Sequence, residues 1–201
     1  MNKLKNNTKT FIINESTSLF LENSIQNVTM SDIAKNVGIG EATLYRYFKK
    51  KVNIVLNVSI ALLLEIFDTY FVFEENLTGF KEIETFYSAF LKIFKEHPNY
   101  YRFTNELDAY ILMEKDISIS EYEERLAQFY NLFKVSYKKG LKDNSLRKIK
   151  DIETFYYSTT HSLLNLCKFL SGPAILSQDE KIQKEKEVEV LVTLILDSIK
   201  K

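Results

Sequence analysis

Very few helix breakers separate the long amphipathic segments of this chain. Its 201 residues include only 5 glycines and 2 prolines, too few for an all-β protein with its many tight turns. Between the breakers, apolar residues recur at helical spacing. The clearest such segments are residues 12–20, 52–73, 86–94, 126–137, 152–170 and 188–199. The pattern contains no strand-type alternation, so the sequence predicts an all-α fold of about nine helices.

Two hydroxyl residues are placed to begin helices. Thr29 and Ser177 are predicted N-caps, and Asp32, three residues after Thr29, would complete an acidic variant of the capping box. Gly172 and Pro173 separate the last two predicted helices, 150–170 and 179–200.

Composition favours a soluble intracellular protein. Apolar residues make up 45% of the chain, enough for a sizeable core. The one cysteine, Cys167, has no partner for an internal disulfide, which suits a reducing cytosol. The most apolar runs, 58–64 and 188–196, are shorter than the ~20 residues that span a bilayer. We expect a cytoplasmic protein that does not enter a membrane.

Charge is distributed unevenly although the net charge is zero. Residues 1–51 carry a net charge of +4 and the remainder carries −4. A basic head on an acidic body suggests a polyanionic partner for the head. A chance distribution would give the same count, so charge alone leaves both interpretations open.

Residues 29–51, TMSDIAKNVGIGEATLYRYFKKK, have the spacing of two short helices joined by a glycine turn. Ala34 is small where the helices approach, and Gly38 tolerates the positive φ of a tight turn. The apolar wedge between the helices would be Ile33, Val37, Ile39, Leu44 and Phe48. This spacing indicates a helix-turn-helix whose second helix enters a DNA major groove. An ordinary αα-hairpin would have similar spacing.

The same stretch, with IINESTSLFLENSIQNVTM before it, resembles the N-terminal DNA-binding domain of the TetR/AcrR family of bacterial transcriptional regulators. The resemblance runs from Ile12 to about Val58, and TLYRYF followed by a basic residue is its most specific part. It implies a DNA-binding domain over 1–51 and an effector-binding and dimerisation domain over 52–201. It also implies a ligand-responsive regulator, expected to be a repressor, that binds operator DNA.

By this resemblance, Thr29, Thr43, Tyr45 and Lys51 contact the DNA backbone, and positions 40–42 face base edges. For Tyr47, core packing is an equal alternative. The predicted DNA-binding residues are Thr29, Gly40, Glu41, Ala42, Thr43, Tyr45, Tyr47 and Lys51. The chain departs from the family pattern at Gly40, a weaker cap than serine, and at Glu41, which repels phosphate unless it accepts from a cytosine amine.

The remaining two-thirds of the chain are rich in aromatic residues, which resemble the effector cavity of the family. Ordinary core packing is the alternative for each of them, and a satisfied buried histidine is the alternative for His161. The predicted ligand contacts are Phe67, Tyr70, Phe71, Phe90, Tyr101, Tyr110, Phe133, Tyr137 and His161. Basic residues are rare among them, so we predict a largely apolar effector that is uncharged or cationic.

Apolar stripes on the last two helices predict a four-helix interface between two copies of the chain. The alternative is that these stripes complete each protomer's own core. The predicted interface residues are Phe155, Thr159, Leu163, Leu166, Val188, Leu191 and Ile195. A homodimer would supply the two heads that helix-turn-helix recognition needs.

Nothing in the sequence indicates an enzyme. His97 and His161 are the only histidines, and neither belongs to a Glu-x-x-His metal motif. Cys167 lies six residues from His161, nearly on the opposite helical face, so the two cannot form a nucleophile–base pair. We expect no metal and no cofactor. A helical structural or adaptor protein without DNA binding remains the alternative function.

Overall fold

The computed structural model describes residues 2–173 and 183–201, with side chains from residue 6 onward. The predicted N-cap Ser177 lies outside the described residues. Within them the chain forms nine helices and no strand, apart from an isolated bridge between Leu146 and Lys200. The all-α prediction is therefore confirmed. The helices are α1 (Asn2–Glu22), α2 (Met30–Val37), α3 (Glu41–Phe48), α4 (Lys51–Tyr70), α5 (Gly79–Glu96), α6 (Pro98–Met113), α7 (Ser120–Lys142), α8 (Ile152–Ser171) and α9 (Lys184–Ile199).

The chain divides into two compact units. The first comprises Met1–Glu65 and Phe103–Arg125, and the second comprises Ile66–Arg102 and Leu126–Lys201. Most of α4, most of α6 and the first residues of α7 belong to the same unit as the helices of the predicted domain 1–51. Periodicity along the chain cannot reveal such an assignment, since it depends on contacts between segments far apart in sequence.

In the first unit, α1 packs against α2 and α2 packs against α3. The core between these helices contains Ile12, Phe20, Ile33, Leu44 and Phe48, all buried. The sequence predicts Ile33, Leu44 and Phe48 as part of the apolar wedge between the two short helices, and their burial confirms it.

In the second unit, α5 packs against both α8 and α9, which also pack against each other. A close approach at the start of α5 requires glycine, because a Cβ on Gly79 would lie 2.0 Å from the backbone nitrogen of Gly140 in α7. Gly140 is a helix breaker by residue type, yet α7 continues through it to Lys142. Its lack of a side chain serves packing here.

Helix α4, which contains the apolar run 58–64, is long and apolar enough to cross a membrane by length and composition alone. Half of that segment is buried inside the protein. The buried core helix of a soluble protein passes the same test, and a helix that is apolar nearly all round is expected to be buried on several sides.

Candidate nucleic-acid interface

The turn between α2 and α3 has the conformation that the sequence predicts. Gly38 has φ +75°, in the left-handed region that glycine adopts without strain. The Gly38 N–H donates to the Lys35 carbonyl, and the Ile39 N–H donates to the Ala34 carbonyl at 3.0 Å. These paired bonds form a Schellman motif, which ends α2 and redirects the chain into α3. Gly40 then caps α3 without a side-chain hydrogen bond.

The capping box at the start of α2 is also present. The Asp32 N–H donates to the Thr29 hydroxyl oxygen at 3.1 Å, and the Thr29 N–H donates to the Asp32 carboxylate at 2.9 Å. The Thr29 hydroxyl also donates to this carboxylate at 2.6 Å. These bonds from Thr29 lower the pKa of Asp32. Both donors of Thr29 are thus engaged, so a phosphate contact through them would replace a capping bond.

Helix α3 presents one face to solvent. Glu41, Ala42, Tyr45 and Arg46 are exposed, whereas Leu44 and Phe48 are buried on the opposite face. Tyr45 is 47% exposed and so is not a core residue. The exposed positions are spaced by three and four residues, so their side chains share one surface. The predicted groove-facing residues of α3 therefore lie together.

The other predicted contacts beside this face differ in their exposure. Thr43 and Tyr47 are half-buried, and Gly40 is exposed. The Arg46 guanidinium lies 5.6 Å from the centre of the Tyr47 ring, a cation–π distance. Tyr47 is thus partly buried and lies next to the Arg46 cation. This position is intermediate between the DNA contact and the core packing that the sequence left open.

Two exposed lysines follow α3 in a constrained turn. Lys49 has φ +62° and ψ −43°, and the Lys50 N–H donates to the Phe48 carbonyl at 2.6 Å across it. This is the geometry of a γ-turn, which is strained for a residue with a side chain. The Asn53 side-chain amide also donates to the Phe48 carbonyl, at 2.7 Å. Lys49 and Lys50 are thereby held at the end of the exposed α3 face.

Lys51 has a structural role that the sequence did not reveal. Its ammonium donates to the carbonyls of Ile25 and Val28, at 2.8 Å each. It also lies 5.1 Å from the centre of the Tyr110 ring. Burial lowers the pKa of Lys51, and the negative charge of Glu114 opposes that shift. A phosphate contact by Lys51 remains a prediction. Because two N–H groups of the ammonium donate to these carbonyls, such a contact would use the third.

The predicted ligand residues of the second unit mostly form one packed aromatic cluster. Phe71 contacts Phe86, Phe90 and Phe129 edge-to-face, with ring centres 4.8–6.2 Å apart. Phe133 lies parallel to Tyr137. The Tyr101 hydroxyl donates to the Phe90 carbonyl at 3.1 Å, and burial raises the pKa of Tyr101 well above its ordinary value. The cluster thus builds the core of this unit, and Phe67 packs against Phe71 and Phe129.

Three predicted ligand residues have other surroundings. Tyr70 is half-buried and donates to the Glu96 carboxylate at 2.6 Å. Tyr110 belongs to the first unit, where burial and Glu114 raise its pKa to about 12. His161 is exposed, beside the Tyr157 ring, so the expectation of a buried histidine is wrong. Residue spacing within one helix does not show which of its faces other elements cover.

Three predicted interface residues are buried within their own protomer. Leu163, Val188 and Ile195 lie in the core of the second unit, so in the protomer they have the core-packing role that the sequence left open as the alternative. The same stripe that predicts an interface also packs α8 and α9 against α5. Of the other four, Phe155 and Thr159 are half-buried, and the Thr159 hydroxyl lies 2.6 Å from the Tyr87 hydroxyl.

Leu166 and Leu191 line an open apolar groove of about 440 Å³ on α8 and α9. The neighbouring apolar side chains Phe169, Val190 and Leu194 are exposed. We call these five apolar residues the α8–α9 patch. Leu166 and Leu191 are also among the predicted interface residues, and their contact with a second copy stays a prediction.

Comparison with known proteins agrees with this geometry. Residues 12–58 match the family model described as bacterial regulatory proteins, tetR family. An HTH-type transcriptional regulator of Staphylococcus aureus (strain USA300) is 47% identical over 53 residues. That match covers 26% of this chain and 28% of the relative.

Solved structures share the fold over nearly the whole length. FadR from Bacillus subtilis, solved in complex with stearoyl-CoA, has a TM-score of 0.68 and 16% identity, covering 93% of this chain and 97% of that one. PfmR from Thermus thermophilus, a TetR family transcriptional regulator, has a TM-score of 0.61 and 16% identity, covering 92% and 97%. The N-terminal helices of the chain, over residues 12–58, are thus those of the bacterial regulatory proteins of the tetR family, and the chain as a whole shares its fold with solved structures such as PfmR.

Proposed function

We propose that this protein is a ligand-responsive, homodimeric DNA-binding regulator of the cytoplasm that represses transcription until an effector binds. One observation carries the proposal: the exposed face of α3, with Glu41, Ala42 and Tyr45, ends at the exposed pair Lys49 and Lys50. A helix of this kind in a major groove would read bases while adjacent cations neutralise phosphates.

Positions 40–42 would face base edges, and Thr43, Tyr45 and Tyr47 would hold the register through the backbone. Glu41 would accept from a cytosine amine, because elsewhere near DNA its carboxylate would be repelled. Thr29 and Lys51 would support this surface chiefly through the capping and carbonyl bonds that they already make. Lys49 and Lys50 join the predicted contacts as the cations best placed for phosphates.

A second copy of the chain would cover the α8–α9 patch. The patch is apolar and exposed, and burying it against itself in a four-helix arrangement would remove that surface from water. The dimer would place two α3 helices in half-sites about 34 Å apart, one helical turn of DNA.

The effector would bind among the rings of the second unit. These surroundings favour a largely apolar ligand, since buried ring faces offer no partner for an anion. FadR, which shares the fold, was solved with stearoyl-CoA, and of that ligand only the long acyl chain matches this preference, because its coenzyme A part carries phosphates. A ligand that prefers the non-binding arrangement by about 1–3 kcal/mol would lower operator affinity several-fold or more.

The test is a gel-shift titration with DNA from upstream of the protein's own gene and with random DNA. We expect a discrete complex containing two copies of the chain, formed in preference on the upstream DNA. A thermal-shift screen would then find apolar compounds that stabilise the protein and release it from the complex. A folded dimer that binds neither DNA would favour the structural or adaptor alternative, and hits confined to small polar anions would refute the proposed ligand class.

A further inference from the structure

The connection between α1 and α2 is held by side chains from distant parts of the first unit. Ile25 lies in this connection, outside any helix, with its side chain 0% exposed. Its N–H and C=O are buried where no helix ladder can satisfy them, so they need other partners. The chain supplies a carboxylate for one and an ammonium for the other.

Glu106, on α6, provides the carboxylate. The Ile25 N–H donates to Glu106 Oε2 at 2.7 Å, between residues 81 positions apart in the sequence. Lys51 provides the ammonium, which donates hydrogen bonds to the carbonyl oxygens of Ile25 and Val28. Bonds to charged partners are the stronger class of hydrogen bond. One buried peptide segment is therefore fixed from both sides.

Tyr110 lies one helical turn after Glu106 and packs its ring against the Lys51 ammonium. Glu114 interacts electrostatically with both Lys51 and Tyr110. Helix α6 thus contacts the connection directly through Glu106. It also contacts it indirectly, because Tyr110 packs against Lys51, which binds the same segment.

The held connection leads straight into the helix-turn-helix. Val28, whose carbonyl Lys51 holds, directly precedes Thr29, the N-cap of α2. Helix α2 ends in the Schellman turn that sets the start of α3. A change in the Ile25 peptide would therefore shift α2, and with it the exposed face of α3.

We propose that Glu106 is a positioning residue for DNA binding, which acts by holding the Ile25 peptide and so the entry into the helix-turn-helix. This inference rests on the proposed DNA binding. The direction of the change in DNA affinity distinguishes positioning from simple electrostatics. Glu106 is an anion, so its removal from a protein that binds polyanionic DNA should strengthen binding if charge alone mattered. Positioning requires that its loss weakens binding instead.

The experiment compares Glu106→Ala, Glu106→Gln and the control Glu65→Ala in the full chain. Glu65 is an exposed residue of α4 in the same unit, so its substitution removes the same charge. Affinity for the upstream DNA is measured by fluorescence anisotropy, and hydrogen exchange is measured at the Ile25 amide.

We expect Glu106→Ala to accelerate exchange at Ile25 and to weaken DNA binding by about tenfold, the scale of losing one charged hydrogen bond. Glu106→Gln retains a carbonyl oxygen that can accept from Ile25, so it should recover most of the affinity. Glu65→Ala should bind DNA as tightly as the wild type or more tightly. If Glu106→Ala does not fold, a Glu106→Gln variant that shows intermediate exchange and affinity carries the same test.

Unchanged exchange at Ile25 in both Glu106 variants would overturn the inference, because the bond would be absent. Accelerated exchange with DNA affinity equal to that of Glu65→Ala would overturn it too, because the bond would exist without positioning the interface. A wild-type protein that binds no DNA would overturn the proposed function and this inference with it. The wild type is measured first, so this failure is distinguished from failure of the positioning role alone.

Discussion

At the scale of single residues, two adjacent lysines have different roles. Lys51 donates to the Ile25 and Val28 carbonyls, whereas Lys50 is exposed beside α3. We expect Lys51→Met to lower the free energy of unfolding by about 1–3 kcal/mol, because it leaves buried carbonyls without donors. Lys50→Met should change it by less than about 0.5 kcal/mol. Urea unfolding measures both.

The same two lysines distinguish an effect on stability from an effect on DNA binding. Lys50→Met should reduce the salt dependence of DNA binding by about one unit of slope, as expected for one lost phosphate contact. Equal stability of the two variants would contradict the structural role of Lys51. An unchanged slope in Lys50→Met would remove Lys50 from the interface.

Asp32 makes stability depend on pH. Its pKa is below the ordinary value of 3.8 because Thr29 donates to the ionised carboxylate. The folded state therefore holds the charged form more tightly than the unfolded state does. Its contribution to stability is complete above pH 3.8 and is lost as the pH falls through the lowered pKa.

We expect Asp32→Asn to flatten the acid limb of the stability curve, measured by urea unfolding at a series of pH values. Thr29→Val, which removes the hydroxyl at similar size, should flatten the same limb. An acid limb as steep as that of the wild type in both variants would show that the capping box is not the origin of the lowered pKa.

At the scale of elements, the sequence predicts what is encoded locally. The helix count, the cap at Thr29 and the turn at Gly38 follow from residues within a few positions of one another. The role of Lys51 depends on Ile25, a contact across 26 positions that no local pattern contains. What covers the stripes on α8 and α9 is undetermined by the sequence for the same reason, since periodicity identifies a stripe but not the surface that packs against it.

The crossing of α5 and α7 gives a prediction at this scale. A Cβ on Gly79 would lie 2.0 Å from the Gly140 nitrogen and 2.3 Å from its Cα. Both are backbone atoms, so no rotamer relieves the overlap. We expect Gly79→Ala to lower the free energy of unfolding by about 3 kcal/mol or more, measured by urea unfolding.

Gly40→Ser is the matched control for this substitution, because a Cβ there meets no atom within 4 Å. Its hydroxyl can cap α3, so we expect a gain of a few tenths of a kcal/mol. If Gly79→Ala is as stable as the wild type, the two helices do not approach as closely as the structure shows.

At the scale of the whole molecule, we expect the proposed homodimer to form through the α8–α9 patch. Leu194 is 61% exposed on α9, so Leu194→Glu should leave the protomer folded and place a charge in the dimer interface. We expect a monomer by sedimentation, with weak binding to the full operator.

Leu163→Glu should instead unfold the protomer, because Leu163 lies in the core.

The control for Leu194→Glu is Val135→Glu, at an exposed position of α7 outside the patch, which should remain a dimer. A Leu194→Glu protein that stays dimeric would assign assembly to another surface. A folded monomer that still binds the full operator tightly would separate DNA binding from assembly.

DNA binding through α3 is tested by a salt titration of DNA binding by the wild-type protein and by Tyr45→Ala. Tyr45 lies on the exposed α3 face and is not one of the buried core residues. We predict preferential binding of upstream DNA over random DNA, an affinity that falls steeply with salt, and a marked loss of affinity in Tyr45→Ala without loss of stability. Equal affinity of the wild type and Tyr45→Ala, or no binding of the wild type to either DNA at low salt, would contradict the assignment of α3 as the DNA-binding helix.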